Sequence, residues 1–189
     1  MSPTPERGRR CVHAARSALL LAAGLWVGAC AAADSLLADL DQRLSRSGIE
    51  AVNSYLGAHW ASAMVPLNRK TAACELHAVG LSVKLSRGRD ARAVQAHGEA
   101  LRAAAGGCPR FVLAMVTPAE VPRYCASVAS WGAAQTAREL RRRIADIEAD
   151  EQLRGSRRGQ ACRAAYVYEL ENTRVVVKRT APSARAAGK

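Results

Sequence analysis

The sequence predicts a mainly α-helical protein, a small helical bundle with a carboxy-terminal β-hairpin that two disulfides hold together. Three observations support this prediction: apolar residues recur at helical spacing along most of the chain, they alternate near its end, and an even number of cysteines lies in the body. Alanine supplies 40 of the 189 residues, so the apolar part of the composition contains few side chains that fill a core. Closely packed small-residue helices with covalent cross-links suit that composition.

The amino terminus has the features of a secretory signal peptide, predicted at residues 1–29. Four arginines and one glutamate precede a 13-residue apolar run from Ser17 to Ala29. The run is shorter than the roughly 20 residues that a permanent membrane helix needs. We therefore expect export, with Cys11 in the segment that is removed.

The four residues at the end of the apolar run carry a more specific signal than the run itself. Val27-Gly28-Ala29-Cys30 resembles the lipobox of bacterial lipoproteins. The resemblance implies cleavage before Cys30, lipidation of that cysteine, and a short linker or anchor at residues 30–34. Ala31 is not an aspartate, which in such a family favours sorting to the outer membrane, with the protein facing the periplasm. Alternatively, the small residues before Asp34 form a cleavage site that would release a soluble periplasmic or secreted protein.

The body, residues 35–180, is predicted to be one mostly helical domain. Asp34 is the expected cap of a first helix over residues 35–46, which ends before Gly48, and a second helix covers 49–59. A helix over residues 71–87 is apolar on two faces and should be central in the bundle. The residues of its two faces are Leu76, Val79 and Val83, and Cys74, Ala78, Leu81 and Leu85.

Later elements follow from caps and periodicity. Asp90 should begin a helix that ends at Gly106-Gly107, and residues 111–116 fit a buried strand or a helical turn. Thr117 to Glu120 resembles a capping box that starts another helix. The clearest helix covers residues 134–153, with ion pairs expected from Glu139 to Arg143 and from Arg142 to Asp146. Alternation over residues 163–179 predicts the β-hairpin, and 181–189 is predicted to be a disordered tail.

With Cys30 as the lipid site, Cys74, Cys108, Cys125 and Cys162 remain for two disulfides in an oxidising compartment. Three pairings are possible, and we favour Cys108 with Cys125 and Cys74 with Cys162. Cys74 and His77 have a spacing that zinc can use, but no second close pair completes a site, so neither a metal nor a cofactor is predicted.

Positive charge accumulates towards the carboxy terminus. Without residues 1–29 the chain has 24 basic and 15 acidic residues, a net +9, and residues 138–189 contribute 13 basic and 7 acidic residues. We predict a basic binding surface that consists of Arg141, Arg142, Arg143, Arg157 and Arg158. Its partner would be an acidic protein or an anionic envelope component, with nucleic acid less favoured. A genome rich in G and C, which favours arginine codons, explains the same charge without any binding role.

Recognisable catalytic motifs are missing from the sequence, and the body has only His59, His77 and His97 as histidine bases. We expect these histidines at a helix end, at the core edge and in solvent. The favoured function is a non-enzymatic binding or inhibitor module on an envelope lipoprotein, comparable in architecture to periplasmic immunity proteins. The alternatives are an enzyme that acts on envelope polymer and a soluble periplasmic protein that binds polyanions.

Overall fold

The computed structural model describes residues 27–128 and 132–180, with side chains for residues 35–128 and 132–173. The chain divides into two compact units, residues 1–34 and 35–189. Residues 1–26 of the predicted signal peptide and the predicted tail, residues 181–189, lie outside the described residues. Within the described parts of the chain, no helix is both long and apolar enough to cross a bilayer.

The described part of the chain is built from helices joined by short connections. A π-helical turn, Trp60–Met64, lies between the first two α-helices. In chain order the α-helices are α1 (Val27–Ala58), α2 (Val65–Ala72), α3 (Leu76–Leu85), α4 (Ala91–Gly107), α5 (Pro109–Met115), α6 (Val121–Tyr124), α7 (Ala133–Ala149), α8 (Glu151–Gly155) and α9 (Arg157–Thr180). The predicted mainly helical fold is confirmed.

Helix α1 shows the predicted division at Gly48. Gly48 has a φ of 79°, a left-handed conformation that glycine adopts without steric cost, and the helical path changes there. The helix begins at Val27, so Asp34 lies inside it and is not its amino-terminal cap.

Helix α3 is central, as predicted, but it begins at Leu76 rather than at residue 71, so Cys74 precedes it. Leu76, which was predicted to lie on an apolar face, is exposed. Val79 and Val83 belong to one core cluster, whereas Ala78, Leu81 and Leu85 belong to another. The first cluster also contains buried residues of α4 to α9, and the second contains buried residues of α1, α2 and the π-helical turn. One helix thus links both parts of the core.

The segments around α4 and α5 follow local signals. The Asp90 carboxylate accepts a hydrogen bond from the Ala93 N–H at 2.9 Å, so it caps α4 as predicted. Residues 111–116 belong mainly to a helix, α5, rather than to a strand. Glu120 accepts bonds from the Thr117 N–H and hydroxyl at 2.7 and 2.9 Å, which is the capping contact expected before α6.

The predicted β-hairpin over residues 163–179 is wrong, because this segment lies within α9 and no strand occurs in the described residues. Cys162, Tyr166 and Leu170 are spaced four residues apart and are all buried, whereas Tyr168 is 67% exposed. A strand would place Tyr166 and Tyr168 on the same face. The burial period is therefore that of a helix whose inner face packs on α7.

The predicted disulfide pairing is also wrong, although two disulfides are present. Cys74 pairs with Cys108 and Cys125 pairs with Cys162, with Cα–Cα distances of 6.1 and 5.1 Å. Helix α4 returns the chain to Cys74, and α9 brings Cys162 to the residue that follows α6. Long helices that fold back on earlier segments decided the pairing, and sequence spacing does not show where those helices lie.

The predicted helix over residues 134–153 is divided at Asp150. Its carboxylate accepts hydrogen bonds from the N–H groups of Gln152 and Leu153 at 3.0 and 3.1 Å, and so caps the short helix α8. The chain turns twice here, at Asp150 and at Ser156, so that α9 returns along α7.

Candidate binding surface

The structure separates the five arginines that were predicted to form one basic surface. Arg141 and Arg142 are exposed on α7, Arg157 is exposed at the start of α9, and Arg158 beside it is half-buried. Arg143 is only 3% exposed. Its inclusion in a binding surface was wrong.

Arg143 is buried because it lies on the inner face of α7, between Leu140 and Ile147 at helical spacing. Its Nη1 donates to the carbonyl of Arg102 at 2.8 Å and lies 3.4 Å from the Tyr166 hydroxyl. Burial raises the pKa of the Tyr166 phenol, so this contact joins a cation to a neutral hydroxyl. Arg143 therefore connects α4, α7 and α9 inside the core.

A glycine makes room for this buried guanidinium. A Cβ at Gly106 would lie 2.4 Å from three guanidinium atoms of Arg143. Arg142 donates to the Gly106 carbonyl at 3.2 Å, so two arginines of α7 meet the carboxy-terminal end of α4. Cations are favourable there because the last carbonyls of a helix carry partial negative charge.

Arg142 is exposed but already engaged. Its guanidinium contacts Glu139 at 3.0 Å and Asp146 at 2.7 Å, so the predicted pair with Asp146 is confirmed. The predicted pair of Glu139 with Arg143 is wrong, because Arg143 points inwards. Within the described part of the chain, Arg141, Arg157 and Arg158 form no ion pair. Of the predicted surface, these three keep their charges available to a partner.

Two shallow clefts lie next to helix α8, and both are lined by arginines. The first, of about 370 Å³, is lined by Ile147, Glu148, Arg154, Gln160 and Arg163. The second, of about 190 Å³, is lined by Arg110, Leu113, Ala114, Gln152, Leu153, Ser156 and Arg158. Together with Arg157, which neighbours Arg158, we call these two clefts the α8 arginine surface.

The α8 arginine surface has more positive than negative charge. Arg163 pairs with Glu148 at 2.6 Å, and Arg110 pairs with Asp150, whose pKa this bond lowers. Among the described residues that line the clefts, Glu148 is the sole carboxylate. Arg154 and Arg158 therefore face the clefts without an acidic partner there, and guanidinium groups bind carboxylates and phosphates in bidentate fashion.

Sequence reasoning missed three of the arginines that line the clefts. Arg110, Arg154 and Arg163 lie on α5, α8 and α9. The only sequence signal was the overall excess of basic residues, since no motif relates Arg110 to Arg158. Helix packing brings them to one cleft.

The three histidines of the body have different surroundings and different partners in the described residues. His97 is buried rather than solvated, its Nδ1 lies 3.1 Å from the Asn68 Oδ1, and burial lowers its pKa to about 4. His77 is exposed and pairs with Asp41, while His59 stacks on Tyr55. No group of three potential metal ligands occurs within 27–128 and 132–180, and the disulfide at Cys74 removes a thiolate from the spacing considered for zinc.

The chain matches no protein-family model, no curated protein and no solved structure. The α8 arginine surface offers shallow, positively charged clefts. Such clefts suit the recognition of anionic side chains on another macromolecule.

Proposed function

We propose that this protein is an exported envelope lipoprotein, anchored at Cys30, and that its body is a binding or inhibitor module for an acidic protein. The α8 arginine surface is the observation that carries the binding part of this proposal. Two of its arginines, Arg154 and Arg158, face clefts without an acidic partner there. Carboxylates of a partner would supply the missing negative charge.

The disulfides support the export part of the proposal. Both bridges connect segments more than 30 residues apart, and the Cys125–Cys162 bridge is fully buried. Structural disulfides of this kind are typical of periplasmic and secreted proteins and rare in the reducing cytosol. They agree with the signal-like amino terminus and the lipobox-like sequence that ends at Cys30.

Binding is tested with labelled polyglutamate as a model acidic polypeptide, by fluorescence anisotropy over a range of salt concentrations. The variant R154S/R158S/R163S should bind at least ten times more weakly than the wild type, with a shallower salt dependence. A charge-matched control replaces the exposed Arg46, Arg69 and Arg89 and should bind nearly as well as the wild type. Equal losses in both variants would show that net charge alone attracts the probe, and would refute a specific site.

Anchoring is tested separately by labelling producing cells with palmitate and measuring the intact mass of the mature protein. A chain that begins at Cys30 with added acyl mass, and loses the label in Cys30→Ala, supports the lipoprotein. An unmodified chain that begins at Asp34 would instead support the soluble periplasmic or secreted alternative.

A further inference from the structure

Helices α3 and α5 lie side by side and are connected at three levels. The Cys74–Cys108 disulfide joins the residues that precede them. Further along, a Cβ on Gly80, in the middle of α3, would lie 3.7 Å from the sulfur of Met115, the last residue of α5. After their ends, Arg87 forms a bidentate ion pair with Glu120 at 2.8 and 3.0 Å. The two helices therefore run in the same direction.

This arrangement places two exposed apolar side chains, Leu76 and Phe111, at a similar level of the two parallel helices, about one turn before Gly80 and Met115. Leu76 shares a helical face with Gly80, and Phe111 shares one with Met115, because each pair is four residues apart. We call Leu76, Gly80, Phe111 and Met115 the α3–α5 face.

Leu76 and Phe111 are unusually exposed for such side chains. They are 54% and 47% exposed, and Phe111 is the only phenylalanine of the chain. Single exposed apolar residues are common, whereas exposed apolar residues that form a continuous patch mark interaction sites.

The surroundings of this face are positively charged. Neither α3 nor α5 contains an acidic residue, whereas Lys84 and Arg110 lie on them. The neighbouring carboxylates each have a basic partner: Glu75 pairs with Lys70 at 2.6 Å, Glu120 with Arg87, Asp41 with His77 and Asp150 with Arg110. No ion pair engages Lys84 within the described residues.

The face also continues into the second arginine-lined cleft. Ala114 lies on α5 one turn after Phe111 and lines that cleft together with Arg110 and Arg158. The exposed part of α5 thus adjoins two guanidinium groups, those of Arg110, which pairs with Asp150, and of Arg158 on α9. A partner that covers Phe111 would place its neighbouring residues within reach of these charges.

We propose that the α3–α5 face is the apolar anchor site for the acidic partner protein, which contacts Leu76 and Phe111 with apolar side chains and Lys84 and Arg158 with carboxylates. This inference rests on the proposed function. It adds that apolar contacts at the α3–α5 face determine which acidic protein binds. Charge accelerates encounter with many acidic proteins, whereas a few buried apolar contacts supply most of the affinity for one of them.

The experiment is a selection of peptides from a random display library against the oxidised, full-length mature protein. We expect the enriched peptides to combine apolar and acidic residues. Their affinity should fall at least tenfold for F111S and for L76S. The control Y168S removes an exposed aromatic side chain from α9 and should leave the affinity unchanged. Hydrogen exchange on the wild-type protein should show protection by the peptide at residues 76–80 and 110–115, which keeps the test valid if one variant fails to fold.

Several results would overturn the inference. These are an absence of enriched peptides, enrichment of basic ones, or affinities that do not respond to F111S and L76S. Flotation with phosphatidylglycerol vesicles that depends on Phe111 would assign the face to a membrane instead. Self-association in sedimentation that F111S abolishes would assign it to a second copy of the chain.

The failure of this inference can be told apart from failure of the proposed function. Peptides that lose affinity for R154S/R158S/R163S but not for F111S would refute the apolar anchor and leave the arginine surface standing. Peptides that respond to F111S but not to the arginine variant would refute the arginine surface, including the Arg158 contact, and leave the apolar contacts at Leu76 and Phe111 standing.

Discussion

Removing either of the two disulfides should change the free energy of the unfolded chain by nearly the same amount. Their cysteines are 34 and 37 residues apart, so each bridge restricts the unfolded chain to a similar extent, worth about 4 kcal/mol. Replacing either pair with alanine should remove a similar amount of stability through the unfolded state. Any difference between the two variants must therefore arise in the folded state.

The folded-state contributions differ because one bridge is buried and the other is half-buried. Cys125 and Cys162 are 0% exposed within the core cluster that contains Tyr166, so C125A/C162A leaves a cavity of two sulfur atoms. With each sulfur treated as a buried methylene, the additional cost is about 2 kcal/mol. We expect a loss of about 4 kcal/mol for C74A/C108A and about 6 kcal/mol for C125A/C162A.

The assay is urea unfolding followed by circular dichroism, with the free energy of unfolding and its urea dependence fitted for each variant. C74G/C108A should be about 1 kcal/mol more stable than C74A/C108A, because Cys74 has a φ of 66° that glycine tolerates better. As a second measurement, mild dithiothreitol should reduce Cys74–Cys108 first, as shown by alkylation and mass analysis. Equal losses, or a larger loss for C74A/C108A, would refute the reasoning.

Two further predictions concern the core. Gly106→Ala should destabilise the protein by about 1–3 kcal/mol, because the new Cβ would overlap the Arg143 guanidinium. The control Gly57→Ala, where nothing lies within 4 Å of the new Cβ, should be neutral or stabilising. Thermal unfolding compares the two variants, and equal effects would contradict the close contact at Gly106. Burial lowers the pKa of His97 to about 4, so the folded state favours neutral imidazole. Its contribution to stability is complete above about pH 6.5 and is lost as the pH falls towards 4, by about 3 kcal/mol in total. Urea midpoints measured from pH 4 to 7 should show a shallower decline for His97→Gln, and an unchanged decline would reject this explanation.

The parts of the fold that sequence reasoning found are those with local causes. Asp90 caps α4 through its own side chain, and Gly106-Gly107 ends that helix. The two apolar faces of α3 indicated a central helix, because a helix that is apolar on two faces packs against other helices on both of them. None of these conclusions needed knowledge of distant segments.

The parts that it missed depend on contacts between distant segments. Arg143 is a charged residue in a sequence with many surface arginines, and its burial depends on distant groups, among them the space at Gly106, the carbonyl of Arg102 and the Tyr166 hydroxyl. The segment around Tyr166 contains β-branched and aromatic residues that favour strands, but packing on α7 makes it helical. For the candidate site, the excess of basic charge was visible, whereas the grouping of Arg110 with Arg158 was not.

The order in which the disulfides pair has a consequence for how the chain matures. The four cysteines of the body pair in sequence order. The first pairs with the second, Cys74 with Cys108, and the third with the fourth, Cys125 with Cys162. In a chain exported from its amino terminus, the first loop can close before the third cysteine emerges, so an oxidant that joins successive cysteines makes the correct bonds. Such a protein would not need a disulfide isomerase to reach its native connectivity, although interleaved bridges in a fold of the same size would.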